Sequence, residues 1–297
     1  MIKLNGRHVE LGAFPNGETQ FFNQNKEIKH KHTHVIDFQY EGDESLIHLM
    51  FVRKYLDTIG TRPVVNLTIR YMPYSRMDRS KNDSPFTLKY VADFINSLNF
   101  NKVTVIEPHS DVTLALLNNS SPLYINFDLI EKVKKEIKFD EKEDVVVFPD
   151  AGASKRYDGM QNKNVLFGHK KRDFETGLIS RDLDIIGNVP EKPFRALICD
   201  DLSSYGGTFV GVSKKLRELG ATEVYLLVAH AENSIFKGTF KDDPKDQDEK
   251  EKVLFDYVDK IFTTDTILSE ENSWGNSKYR EQLKIYRLDT LVTYIYA

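Results

Sequence analysis

Residues 197–220 read LICDDLSSYGGTFVGVSKKLRELG, an apolar run that ends in two adjacent acids, Asp200 and Asp201. A loop of Ser203, Ser204, Tyr205, Gly206 and Gly207 follows, and a helical pattern opens at about Thr208. Hydroxyls and glycines at a helix start present backbone N–H groups to an anion. Gly206 and Gly207 permit close backbone approach and unusual dihedrals. Paired carboxylates suit ribose hydroxyls, or a metal held through water. The same residues also suit an ordinary strand–turn–helix with an Asp and Ser cap. Elsewhere, His109 and Asp150 each stand just after an apolar run, and His169-Lys170-Lys171-Arg172 forms a short basic cluster. By itself that cluster reads as a solvated turn.

The surrounding elements must place these groups. Apolar, β-branched runs at Val64–Ile69, Lys102–Glu107, Val145–Phe148, Ala196–Cys199 and Val224–Ala229 are each bounded by polar or turn residues. Near-continuous apolar character is how strands of a parallel sheet buried on both faces read. Helical patterns lie between them, at Phe86–Asn96, Asp128–Ile137 and Thr208–Leu219. The first begins after Ser84-Pro85 and puts Leu88, Val91, Ala92 and Ile95 on one face, and the last stops at Gly220, a suitable C-cap. Strands alternating with helices predict an α/β fold in which ligands sit at the carboxyl ends of strands.

A chain of 297 residues is long enough for two domains. The two halves look alike in outline, so the expected domains are 1–140 and 141–297, divided in the charged stretch 138–144. A second charged run, 241–252, reads as a solvated loop or lid. A net charge of −4 argues against a general nucleic-acid binder. The single cysteine, Cys199, forbids an intramolecular disulfide, which suits a reducing cytosol. Neither a signal-peptide apolar region nor a membrane span is visible, so a cytoplasmic protein is expected.

Taken in order, the motifs resemble the ribose-phosphate pyrophosphokinase (phosphoribosyl pyrophosphate synthetase) family. Phe14-Pro15-Asn16-Gly17-Glu18 is similar to that family's early ATP loop, Phe-x-Asp-Gly-Glu. Pro73-Tyr74-Ser75-Arg76-Met77-Asp78-Arg79 resembles Pro-Tyr-Ala-Arg-Gln-Asp-Arg, and Glu107-Pro108-His109-Ser110 resembles Asp-Leu-His-Ser. Pro149–Arg156 resembles Pro-Asp-x-Gly-x-x-Lys-Arg, and His169–Arg172 resembles the start of the catalytic flexible loop. Residues 200–208 resemble the phosphoribosyl pyrophosphate loop, and Thr263–Ile267 resembles a further family segment.

The resemblance implies two phosphoribosyltransferase-type domains, each a mainly parallel sheet flanked by helices. It implies Mg²⁺-dependent transfer of the β,γ-diphosphate of ATP to the 1-hydroxyl of a ribose 5-phosphate moiety. Phe14 would stack on adenine while Asn16 and Glu18 read polar atoms of the nucleoside. Arg76, Met77, Asp78, Arg79 and His109 would complete the ATP site. Lys170 and Arg172, with Arg76, would stabilise the transferring group. His109 and Asp150 would hold Mg²⁺. Asp150, Asp200, Asp201, Ser203, Ser204, Tyr205, Gly206, Gly207 and Thr208 would hold the ribose phosphate. In relatives the Phe14 loop reaches into a neighbouring subunit's site, which implies a homo-oligomer.

Departures from the pattern bear on specificity. Asn16 replaces Asp and Met77 replaces Gln near the ATP. In the phosphate loop, Asp-Asp-x-x-Asp-Thr-x-Gly-Thr becomes a sequence in which Ser204 stands for the third acid and Tyr205 for the Thr. Tyrosine would crowd a compact phosphate monoester, whereas its ring suits a base or ribose beyond the phosphate. The expected acceptor is therefore ADP-ribose, as in rebuilding NAD⁺, with ribose 5-phosphate the alternative. A non-catalytic regulatory subunit is the competing class. A phosphoribosyltransferase would lack the Phe14–Glu18 and Pro73–Arg79 motifs.

Overall fold

A computed structural model describes residues 1–21, 31–59, 63–80, 83–157, 164–172, 179–242, 250–269 and 278–291. The chain divides into two compact units, Met1–Tyr124 with Leu288–Ala297, and Ile125–Arg287.

In the first unit, β1 (Ile2–Leu4), β2 (Arg7–His8), β3 (Leu11–Ala13), β4 (Thr19–Phe21) and β5 (Thr33–Phe38) precede helix α1 (Glu44–Thr58). Then come β6 (Val64–Ile69), α2 (Thr87–Ser97), β7 (Lys102–Ile106), α3 (Asp111–Leu116) and β8 (Ser120–Leu123). The sheet order is β2-β1-β5-β6-β7-β8. β5 through β8 run parallel, and β1 pairs antiparallel with β2 and β5. β3 and β4 form a separate hairpin. Helix α2 buries Leu88, Val91, Ala92 and Ile95, the face its periodicity predicts.

In the second unit, α4 (Asn126–Glu136), β9 (Val145–Phe148), α5 (Ala151–Arg156), β10 (Val165–Arg172), β11 (Ile179–Ile186), β12 (Phe194–Ser203), α6 (Gly207–Glu218) and β13 (Ala221–Ala231) lead to β14 (Lys260–Thr264) and β15 (Leu283–Tyr286). Helix α7 (Leu288–Leu291) returns to the first unit. The sheet order is β11-β10-β9-β12-β13-β14-β15, and every pairing except β10 with β11 is parallel. All four residues of β9 are buried, which is why the sequence shows no alternation there. Both units are thus mainly parallel sheets flanked by helices, the expected fold class.

The division falls earlier than the expected break near residue 140. Helix α4 belongs to the second unit, where it packs on β13 and its Glu136 pairs with Lys260 at 2.8 Å. The charged stretch 138–144 is an internal turn rather than a linker. The Asp140 N–H donates to Asp144 Oδ2, and Asp144 Oδ1 accepts from the Arg195 N–H at 2.8 Å. The ends of the second charged run are also tied down. Asp242 pairs with Lys214 at 2.7 Å and with Lys252, and Phe240 bridges Lys252. Hydrogen bonds from Lys214, then Lys252, hold the Asp242 carboxyl well below the usual carboxylate range. Residues 243–249 lie outside the described set. Among the described residues no helix is long and apolar enough to cross a membrane.

Candidate functional site

Adjacent parallel strands β6 and β7 release two of the sequence-predicted loops at one sheet end. After β6, residues Pro73–Arg76 turn sharply, with Tyr74 at φ 61 and the Met77 N–H donating to the Tyr74 carbonyl at 2.9 Å. That strained backbone is held by Asp43, just before α1, which accepts from the hydroxyls of both Tyr74 and Tyr40. The same two bonds, Tyr74 first, hold the Asp43 carboxyl below its ordinary value. Arg76 and Arg79 reach the surface while Asp78 is buried. Arg79 donates to Asp78 Oδ1 at 2.8 Å, and this bond leads in lowering the Asp78 pKa against the effect of burial. Ser110 and His109 lie alongside Asp78, so the two loops meet. Glu107, just after β7, stands at φ 42 and is buried.

The Phe14–Glu18 turn caps the β3–β4 hairpin. The Phe14 N–H donates to Glu18 O and the Gly17 N–H to Phe14 O, both at 2.8 Å, with Gly17 at φ 88. Asn16 Oδ1 accepts from the Glu18 N–H at 3.2 Å, so Asn16 shapes this turn. Phe14 is 46% exposed, so it is not a core aromatic. Thr19 meets His48 on α1 at 3.0 Å, and Phe21 packs edge-on against Tyr55.

In the second unit, three carboxylates gather at the carboxyl ends of β9 and β12. Asp150 caps α5, its Oδ1 accepting from the N–H groups of Gly152 and Ala153 at 2.9 and 3.0 Å. Arg156, at the other end of α5, sits 3.0 Å from Asp201 and 3.5 Å from Asp200. Asn126 of α4 donates to the Asp200 carbonyl at 2.9 Å and to the Tyr157 hydroxyl at 2.6 Å. Burial, then the charge of Asp201 with a further push from Asp150, raises the Asp200 carboxyl well above its ordinary value, and Arg156 opposes them. Sequence reasoning passed over Arg156 and Asn126 as site residues. Arg156 closes the Pro149–Arg156 motif and was visible there, whereas Asn126 offers no local signal.

Beyond Asp201, Ser203 is buried, Ser204 is half-buried and Tyr205 is 56% exposed. Gly206 is left-handed at φ 95, and a Cβ there would stand 2.6 Å from Leu254 Cδ2. The expected freedom is therefore needed at Gly206 alone; a Cβ on Gly207 would meet Phe240 at an ordinary 3.6 Å. Thr208 lies in the first turn of α6. Lys170 and Arg172 lie within β10, in a hairpin with β11, where an irregular loop was expected. Their side chains fall outside the described set. The structure thus gathers Asp78, Arg79 and His109 in one unit and Asp150, Asp200, Asp201 and the Ser203–Thr208 turn in the other.

No family model matches the chain. The ribose-phosphate pyrophosphokinase A of Dictyostelium discoideum is 28% identical over 239 residues, 77% of this chain and 71% of that protein. A ribose-phosphate pyrophosphokinase of Sulfurisphaera tokodaii is 26% identical over 267 residues, 87% of this chain and 84% of that protein. Among solved structures, the phosphoribosylpyrophosphate synthetase of Mycobacterium smegmatis superposes with a TM-score of 0.70 over 96% of this chain and 87% of its own, at 20% identity, a likeness of fold. In sequence the chain is similar to ribose-phosphate pyrophosphokinases over most of its length, and in fold it is similar to a phosphoribosylpyrophosphate synthetase.

Proposed function

We propose that the protein transfers the β,γ-diphosphate of ATP to the 1-hydroxyl of a ribose bearing a 5-phosphate, releasing AMP. The observation that carries this reading is the site at the end of β12, where the Asp200–Asp201 pair clamped by Arg156 adjoins the Gly206 turn and the α6 N-terminus. Carboxylates accept sugar hydroxyls, and N–H groups at the start of a 12-residue helix receive a phosphate. In the transfer, the sugar O1 attacks the β-phosphorus in line and loses its proton to solvent, the O1–Pβ bond forms, and the bond from Pβ to the AMP oxygen breaks. Catalysis of such steps is mostly positioning and charge neutralisation. Arg76 and Arg79 would hold ATP phosphates, with Phe14, Asn16, Glu18 and Met77 around the nucleoside. Lys170 and Arg172 would stabilise charge on the transferring group.

The donor set fits Mg²⁺. Burial first, and then the neighbouring charges of Asp201 and Asp150, raises the Asp200 carboxyl, and a cation would relieve the repulsive part. Among the described residues no three His, Cys, Asp or Glu side chains are grouped to hold a metal. That suits an ion bound by one or two side chains plus phosphates and water. Mg²⁺ near His109 would neutralise the ATP phosphates, and Asp150 would hold a second Mg²⁺ or the ribose hydroxyls. Changing His109 to Ala, or Asp150 to Asn, is expected to raise the Mg²⁺ concentration for half-maximal rate severalfold. Asn keeps a cap oxygen for Gly152 and Ala153, so the Asp150→Asn fold survives. Titrations superimposable on the parent's would remove both residues from the metal site.

For the acceptor, the exposed Tyr205 ring favours a 5-phosphate that is esterified further, as in ADP-ribose. The relatives, being ribose-phosphate pyrophosphokinases, favour ribose 5-phosphate. AMP release from ATP and Mg²⁺ with each acceptor tests both. The expected result is a higher kcat/KM with ADP-ribose, because contacts to the remote nucleotide contribute to transition-state stabilisation. Changing Ser204 to Asp and Tyr205 to Thr together is expected to shift the preference to ribose 5-phosphate. A parent that prefers ribose 5-phosphate overturns the ADP-ribose reading alone. A parent that binds ATP yet turns over neither acceptor points to a regulatory subunit.

A further inference from the structure

The turn after β12 lacks an acid at Ser204, but a carboxylate reaches it from the neighbouring strand. β12 and β13 are parallel and end together, with Ser203 opposite Ala231. The Glu232 N–H donates to the Ser203 carbonyl at 2.9 Å, which sets Glu232 beside the turn. A single turn of 3₁₀ helix, Asn233–Phe236, then brings Ser234 back. That turn is fixed on its far side, where Asn233 Nδ2 donates to Ser269 Oγ at 2.8 Å and Asn233 Oδ1 accepts from the Ser269 N–H.

Two short contacts complete the chain. Ser234 Oγ lies 3.0 Å from Glu232 Oε2, and Ser204 Oγ lies 3.2 Å from Ser234 Oγ. An ionised carboxylate only accepts, so Ser234 must donate its one hydroxyl proton to Glu232. Ser234 Oγ can then only accept from Ser204, whose own proton is thereby committed. The Ser204 oxygen is left with lone pairs alone. Neighbouring Ser203 does not disturb this order, because its hydroxyl donates to the Ser204 carbonyl at 3.3 Å.

We propose that Glu232 is a positioning residue for the acceptor sugar: acting through Ser234, it makes Ser204 Oγ an obligate acceptor for a ribose hydroxyl. The relay gives a neutral serine the hydrogen-bonding sense of a carboxylate, with the negative charge two residues removed. Chained hydrogen bonds anchored on a charge also polarise one another, which strengthens the last acceptor. The inference rests on the reading of this turn as the sugar site, and it adds Glu232 and Ser234 to it.

The test uses the full chain and compares ribose 5-phosphate with its 2-deoxy and 3-deoxy analogues. Calorimetric affinity is measured alongside kcat/KM for parent, E232Q, S204A and the E232Q/S204A double variant. Glutamine can donate or accept, so E232Q leaves the direction of the relay unset. The expected result is a parent that prefers ribose 5-phosphate over at least one deoxy analogue. E232Q is expected to lose about tenfold in affinity for ribose 5-phosphate, the scale of a charge-anchored hydrogen bond. It should lose little for that analogue, so the discrimination ratio contracts while KM for ATP stays within about twofold. S204A should behave likewise, and the double variant should be no worse than S204A. An S204D change made in the E232Q background should restore the ratio, since it supplies a carboxylate directly.

An E232Q variant that weakens all three sugars equally, or leaves the ratio intact, overturns the inference. AMP release with an intact ratio does so while sparing the proposed reaction. A contracted ratio in a chain that releases no AMP keeps the relay and overturns the reaction. A parent that binds neither these sugar phosphates nor ADP-ribose overturns both.

Discussion

Replacing Lys170 with alanine is expected to lower kcat by on the order of 10²–10³, the scale for removing one preorganised charge donor. Diphosphoryl transfer spreads negative charge over non-bridging oxygens, and the protein's main lever is cations placed where that charge develops. Lys170 stands in β10, opposite Leu183 of β11, and β10 itself is anchored on β9 through Val165–Phe167. Gly168 of the same strand passes so close to Pro149 that an added Cβ would stand 2.4 Å from its carbonyl oxygen. The basic cluster is thus rooted one residue from the Asp150 segment, which the turn after β9 carries. If Lys170 acts on the transferring group, KM for ATP changes much less than kcat, because uniform ground-state binding is not what is lost. Steady-state kinetics at saturating Mg²⁺ give both numbers. An unchanged kcat would take Lys170 out of the mechanism, and a rise confined to KM would make it an ordinary phosphate contact.

Sequence reading located the parallel strands because burial on both faces erases alternation, as in the wholly buried β9. It located α2 and α6 because their apolar faces and the Gly220 stop of α6 are local features. Most of the candidate loops are visible for the same reason: Phe14–Glu18, Pro73–Arg79, His109 and Asp150 each stand in a short run soon after a strand. What stayed hidden acts across the sheet. Asn126 reaches the Asp200 carbonyl from 74 residues away, and Glu232 touches Ser204 only through Ser234. The charges at 138–144 read as a linker because nothing local shows that Asp144 is consumed by Arg195, 51 residues on. Lys170 and Arg172 were expected in an irregular loop, since a basic run carries no sign of the long-range pairing that makes it part of β10.

The same blindness concealed a buried charge cluster that governs the first unit. Arg70, the first residue after β6, is 1% exposed and donates to both oxygens of Asp37, at 2.8 and 2.6 Å. Its Nη2 also donates to Asp289 of α7 at 2.8 Å, and Asp289 carries Lys3 at 2.5 Å. Two cations thus face two carboxylates. Changing Asp37 to Asn keeps the shape but leaves Arg70 and Lys3 sharing Asp289. Asp37 is fully buried, so water cannot repay the loss. The expected cost is about 3–5 kcal/mol, the range for stranding one partner of a buried pair. Urea unfolding at neutral pH measures it. Changing Asp37 to Leu and Arg70 to Met together removes both charges, leaves the Lys3–Asp289 pair, and is expected to cost much less than Asp37→Asn alone. Asp289→Asn should also cost less, because its side chain is 44% exposed and water solvates what remains. Although burial opposes its charged form, Lys3 and Arg70 hold the Asp289 carboxyl below its ordinary 3.8. A carboxyl with a depressed folded-state pKa stabilises above the unfolded value and loses that contribution as pH falls through the folded one. The parent's advantage over Asp289→Asn should therefore be full near neutrality and fade below about pH 4. Because Arg70 opens the segment that leads to Pro73–Arg79, Asp37→Asn is expected to raise KM for ATP as well. A variant that unfolds at the parent's urea midpoint would show that the cluster is not what holds this segment.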